Sequence, residues 1–130
     1  MSFRTEIATK VCEVTDMAAE KGWHDTPVSP LESFALIHSE VSEAVEEVRK
    51  GNPPVYQILL KPSGDTQMIE PGHALWHEKA KPEGELIELA DAVIRIMHYC
   101  GKMGYDLGGA IEMKVKYNAT RPYRHGNKLA

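Results

Sequence analysis

The stretch HSEVSEAVEEVRKG (residues 38–51) decides how the rest of the chain is read. At 3.6 residues per turn, Glu40, Glu43 and Glu47 fall within about 60° of one another on a helix. They sit beside the apolar arc of Ile37, Val41, Ala44, Val45 and Val48. The counterpart is GELIELADAVIRI (residues 84–96). There Leu86, Leu89, Val93, Ile96 and Cys100 cover one side and Ile87, Ala90 and Ile94 much of the rest, leaving Glu88, Asp91 and Arg95 in a narrow notch. A helix apolar nearly all round is normally buried. Buried carboxylates are costly unless they are paired or bind metal. The two patterns together predict facing helices that bring Glu40, Glu43, Glu88 and Asp91 to one place. Arg95, in the same notch, is either a counter-ion to Asp91 or Glu88 or a substrate contact. Glu46 reads as solvated.

Outward from these two stretches, stop and start signals mark four helices. Ile7, Val11, Val14 and Ala18 recur at helical spacing from about Phe3 to Lys21, with Gly22 as a stop. Ser29, Pro30 and Glu32 form an N-terminal signal for the helix that carries the first acids and ends at Gly51. The second acids lie on a helix from Glu85 to about Lys102. Asp106 reads as the cap of a last helix, Leu107 to about Thr120, closed by Pro122. Between Asn52 and Gly84 the prolines exclude a regular helix. Val55–Leu60 and Thr66–Ile69 flank KPSGD and read as a small hairpin, which must lean on the helices or on another subunit because two strands alone are marginal. A short helical turn is expected around His73 to Lys79. The fold class is all-α: a four-helix bundle with a long Pro-rich connection carrying a small β-hairpin.

The chain has 130 residues, 42% hydrophobic and 26% charged, with formal net charge −4. This suits one globular domain, residues 1–130, with 52–84 as an inserted connection. The acidic balance argues against a nucleic acid or an anionic membrane as main partner. The start, MSFRTEIATK, has no apolar signal core, and no apolar run approaches a membrane span. Cys12 and Cys100 fall at apolar helical positions and read as reduced core thiols. A cytoplasmic location is expected.

Paired carboxylates from two helices form a hard-oxygen cage, suited to Mg²⁺ or Mn²⁺ more than to zinc. Di-iron bundles use Glu-x-x-His pairs, which neither stretch supplies. Lys114, Asn118 and Arg121 stand at i, i+4 and i+7 on the last helix, near Lys116, with Arg124 and His125 in the tail. Such a stripe can hold phosphate oxygens, or simply complement the helix dipole. Trp23 either stacks on a nucleobase or plugs a helix end. His73 and His77 form an i, i+4 pair without an evident third ligand for zinc.

Through KPEGELIELADAVIRI and KVKYNATRPYRHG, with a weaker match over residues 23–51, the chain resembles the MazG-like all-α nucleoside triphosphate pyrophosphatases. The resemblance implies metal ligands Glu40, Glu43, Glu88 and Asp91, and phosphate-side residues Lys114, Asn118 and Arg121. It also implies hydrolysis of a nucleoside triphosphate to monophosphate and pyrophosphate, with Mg²⁺ (Mn²⁺ as alternative), in a homodimer or homotetramer. Glu43 or Glu47 would orient the attacking water or take its proton. Ser39 stands where the family motif has the first acid of a double-acid pair, with Glu47 one turn on as a substitute. That departure keeps a rival open: a non-catalytic regulatory module of the same fold that binds nucleotides or a protein. A second enzyme rival acts on another pyrophosphate, such as a nucleoside diphosphate derivative.

Overall fold

Capping residues set the helix limits. The computed structural model describes residues 1–123. Helix α1 (Phe3–Glu20) opens on Ser2, whose hydroxyl accepts the Thr5 N–H at 3.2 Å. Helix α2 (Pro30–Arg49) opens on Ser29, which accepts the Glu32 N–H at 3.2 Å, with Pro30 in the first turn where no N–H is missed. Strands β1 (Gln57–Leu60) and β2 (Thr66–Ile69) pair antiparallel, Gln57 opposite Ile69 and Leu60 opposite Thr66. Helix α3 (Glu85–Met103) follows, then α4 (Leu107–Ala119), capped by the Asp106 carboxylate on the Gly109 N–H at 2.9 Å. The described residues are thus mostly helical, with four α-helices and a two-stranded antiparallel sheet. No helix among them is long and apolar enough to cross a membrane. Arg124 and His125 lie outside the described residues.

The chain divides into two compact units, one of Met1–Pro27 with the segment from Met97 on, the other of Val28–Ile96. In the first unit α1 packs on α4. Val11, Val14, Ala18 and Cys100 are buried there, and Gly108 brings α4 close to the backbone of Arg4. Burial raises the Cys100 thiol pKa. Cys12 is exposed. It follows Val11 by one residue and so points about 100° away from the buried stripe, which corrects its reading as a core thiol.

In the second unit the hairpin forms part of the core. Tyr56 is 5% exposed, Gln57 4% and Ile69 1%, alongside Ala44 of α2 and Ala92 of α3. The buried Gln57 amide is satisfied by the chain that follows the hairpin. Its Nε2 donates to the His77 carbonyl at 2.6 Å and the Ala80 carbonyl at 3.3 Å, and its Oε1 accepts the His77 N–H at 3.1 Å. The hairpin therefore leans on its own unit. Ile69→Ala should cost about 2–5 kcal/mol, as expected for truncating a fully buried aliphatic chain. Urea titration reads this as a lowered midpoint at unchanged slope. A loss under 1 kcal/mol would return the hairpin to the role of appendage.

Two expectations change. Around His73–Lys79 the chain makes successive turns, not a helical turn. The Nδ1 atoms of His73 and His77 accept the N–H groups of Leu75 (3.0 Å) and Lys79 (3.1 Å). Each imidazole is thus used by its own turn, and the i, i+4 zinc pair loses the helix it depends on. The N-terminal part of α3 is not buried all round either: Leu86, Leu89 and Val93 are 53%, 43% and 48% exposed. That helix reaches α2 through its narrow polar notch, and its wide apolar side stays exposed.

Candidate metal centre

Glu40, Glu43, Glu88 and Asp91 all belong to the second unit. Glu40, one turn before Glu43 on α2, is buried at 8% exposure. Its charge is matched by Arg95 of α3, whose Nε donates to Oε1 at 2.8 Å. Arg95 is therefore the counter-ion of an acid on the opposite helix, where the sequence pattern suggested its own-helix neighbours. One carboxylate oxygen from each of Glu40, Glu43 and Glu88 lies within 4.8 Å of the others. Among the described residues this is the one group of three or more His, Cys, Asp or Glu side chains so close together. Asp91 stands one turn beyond Glu88. Burial, then the charge of Glu40, raises its pKa, while Arg95 and Lys81 pull it down.

The spacing of the two acid pairs is set by the segment after α2. Asn52 N–H bonds back to the Glu47 carbonyl at 3.2 Å, closing the helix. Two residues on, the Pro54 carbonyl accepts the Leu86 N–H at 3.1 Å, occupying an otherwise orphaned donor in the first turn of α3. Tyr56 and Glu83 then exchange both backbone hydrogen bonds, at 2.9 and 2.7 Å. The chain from Asn52 to Tyr56 thus straps the last turn of α2 to the first turn of α3.

Glu88 shows what crowding costs. Burial and the adjoining Glu43 carboxyl, followed by Glu40 and Asp91, push its pKa up from 4.5 to about 7. Between these values the folded chain keeps a proton that the unfolded chain has released. Metal-free stability should therefore be highest below pH 4.5, as far as Glu88 is concerned, and decline as the pH rises through 7. Urea midpoints of metal-free protein at pH 5 and pH 7.5 test this, with Glu88→Gln as the reference. The variant should show a clearly smaller fall over that interval, and an equal fall would mean that Glu88 carries no such proton.

The donor set fits a hard divalent cation: every candidate ligand atom is a carboxylate oxygen, with no nitrogen or sulfur in the group. A pocket of about 440 Å³ opens beside it, lined by Glu43, Glu47 and Glu88 together with Lys50 and Lys81. Glu47 lies outside the three-carboxylate group. It accepts hydrogen bonds from Tyr56 and Asn52. Ser39 turns its hydroxyl back to the Leu36 carbonyl at 2.6 Å, so position 39 offers no carboxylate and its one donor is taken.

The remaining expected residues lie in the first unit. Lys114 and Asn118 are exposed and Arg121 half-buried. Tyr117, missed in the sequence, lies between the two cations: Lys114 Nζ stands 4.8 Å and Arg121 Cζ 5.8 Å from its ring centre. Trp23 is 53% exposed and meets His98 edge-on at 6.1 Å, and His98 stacks on His24 with their Nε2 atoms 2.7 Å apart. That exposure leaves ring surface free for a stacking ligand. Lys50, Asn52, Tyr56 and Lys81 also went unnoticed, since none falls in a periodic pattern. No family model, curated protein or solved structure matches the chain.

Proposed function

We propose that this chain is a divalent-cation-dependent nucleoside triphosphate pyrophosphatase, a helical bundle of the MazG-like kind. The substrate would be cleaved between the α and β phosphates to give a nucleoside monophosphate and pyrophosphate. The observation that carries this reading is the meeting of Glu40 and Glu43 from α2 with Glu88 from α3, beside an open pocket, Asp91 following one turn on but outside that close group. These four would hold Mg²⁺ or Mn²⁺. The bound cation supplies charge neutralisation at phosphate oxygens and acidifies water. Arg95 fixes Glu40 and offsets its charge. Glu43 or Glu47, both lining the pocket, would orient water or accept its proton. Lys114, Asn118 and Arg121 would take phosphate oxygens and Trp23 the base. On that assignment Lys114→Ala and Arg121→Ala raise KM for the triphosphate several-fold and leave Mn²⁺ affinity within twofold. Unchanged KM in both at low salt would leave the stripe as a helix-end feature.

The deciding experiment is pyrophosphate release from a panel of ribo- and deoxynucleoside triphosphates and nucleoside diphosphate derivatives with Mg²⁺ or Mn²⁺. The tied-back hydroxyl of Ser39 favours one rival, the non-catalytic module. It predicts nucleotide-dependent thermal stabilisation with no product, whereas release from diphosphate derivatives alone selects the other enzyme.

A homodimer or homotetramer belongs to the same proposal. Val41, Val45 and Val48 on α2 and Leu86, Leu89 and Val93 on α3 are each more than 40% exposed. Apolar stripes on two helices of one small unit exceed what a monomer usually shows to water. A second copy is the proposed cover, and sedimentation of the intact chain tests it. The two free cysteines fit a reducing, cytoplasmic setting.

A further inference from the structure

Tyr56 is the most completely enclosed hydrogen-bonding aromatic beside the acidic pocket, and its hydroxyl is aimed at Glu47. It lies 2.8 Å from Oε2 and 3.0 Å from Oε1, so its single proton is shared across both carboxylate oxygens. The Asn52 amide donates to the same Oε2 at 2.8 Å and to the Tyr56 hydroxyl at 3.1 Å. Three polar side chains thus satisfy one another in a closed set, and no buried side-chain polar atom among the described residues lacks a partner. Two neutral donors on one carboxylate fix the plane of the group. Burial, then Glu47, pushes the Tyr56 hydroxyl up to about 12, so it remains a donor through the physiological range.

The carboxylate held in this way lines the same pocket as Glu43 and Glu88. The residues that hold it belong to the strap between α2 and α3, which also fixes the spacing of the two acid pairs. A carboxylate needed only for charge on a solvated helix end would not be locked by a 5%-exposed tyrosine and an amide. We propose that Tyr56 and Asn52 are positioning residues of the hydrolytic site, holding Glu47 in one orientation at the pocket so that it can direct the attacking water. The connection after α2 is then part of the catalytic apparatus. This inference rests on the pyrophosphatase reading and adds residues and a division of labour to it: Glu43 with the cation, Glu47 with the water.

The test is Tyr56→Phe, which keeps the ring in its slot and removes only the hydroxyl, measured beside Glu47→Gln and the double variant. The readouts are kcat and KM for the best triphosphate, Mn²⁺ affinity by calorimetry, and circular dichroism for folding. The expected result is a folded Tyr56→Phe protein with KM and Mn²⁺ affinity within twofold of the native chain and kcat down at least tenfold. Glu47→Gln loses as much or more, and adding Tyr56→Phe to it brings no further loss. Should Tyr56→Phe fail to fold, Asn52→Ala takes its place with the same expectations. Full kcat in the folded single variant, or losses that multiply in the double variant, would overturn the positioning role and leave the pyrophosphatase reading standing. A native chain that binds Mn²⁺ but releases no pyrophosphate from any nucleotide overturns that reading and this inference with it.

Discussion

Asp91→Asn gives a metal-free protein at least as stable as the native chain, while the stabilisation by Mg²⁺ or Mn²⁺ and the release of pyrophosphate both collapse. Burial and the Glu40 charge already work against the Asp91 carboxylate, with Arg95 and Lys81 only partly offsetting them. An isosteric amide removes one negative charge from a crowded group and so relieves repulsion when no cation is present. With a cation the balance reverses. An ion that binds only the folded chain stabilises it by about 2.7 kcal/mol at a hundred times its dissociation constant, and a lost ligand raises that constant. Turnover should drop by roughly 10²–10³, the usual cost of removing one group that stabilises transition-state charge. Thermal unfolding with and without Mn²⁺, together with a pyrophosphate assay, reads all three effects on one sample. A solvated acidic face predicts no metal-dependent shift in either protein. If Asp91→Asn keeps the full shift and full turnover, the site is wrongly assigned.

The helix limits were legible because they are written in single residues. Ser29 and Asp106 each accept a first-turn N–H as their positions implied, Ser2 does the same for α1 without having been singled out, and the strand pairing differs from expectation only at the start of β1. The meeting of Glu40, Glu43 and Glu88 was legible for a related reason: i, i+3 spacing fixes which carboxylates share a face without knowledge of the partner helix, although Asp91 stays outside that group. What the sequence could not show is what crosses between elements. Arg95 and Glu40 are 55 residues apart and on different helices, and no local pattern links them. Tyr56 and Asn52 sit among prolines, where neither the helical nor the strand period operates, so their bond to Glu47 had no signature. The apolar girth of α3 was read as burial within the chain. The structure leaves part of it exposed, because periodicity reports which surface is apolar and not what covers it.

Gly84→Ala should damage both the fold and the metal site. Gly84 precedes α3 with φ +118°, a conformation that a side-chain-bearing residue rarely adopts. A Cβ at this position would fall on the Pro54 carbonyl and lie 2.8 Å from the Pro53 carbonyl oxygen. Both obstacles are backbone, and Pro54 is the residue whose carbonyl ties the strap to the Leu86 N–H. Relief therefore requires the strap to move off α3, breaking that hydrogen bond and shifting the Tyr56–Glu83 pairing beside it. Strain of this kind costs about 1–3 kcal/mol and overpacking a similar amount, so a loss of roughly 2–5 kcal/mol is expected. The loss is coupled to function because the strap sets the distance between Glu43 on α2 and Glu88 on α3. Gly84→Ala should weaken Mn²⁺ binding by more than tenfold even at temperatures where the variant remains folded, although no ligand has been altered. Val14→Ala, a destabilising truncation at a buried position of the first unit, supplies the control and should retain its Mn²⁺ affinity when folded. Equal Mn²⁺ affinity in folded Gly84→Ala and native protein would separate the strap from the site and leave it a fold element only.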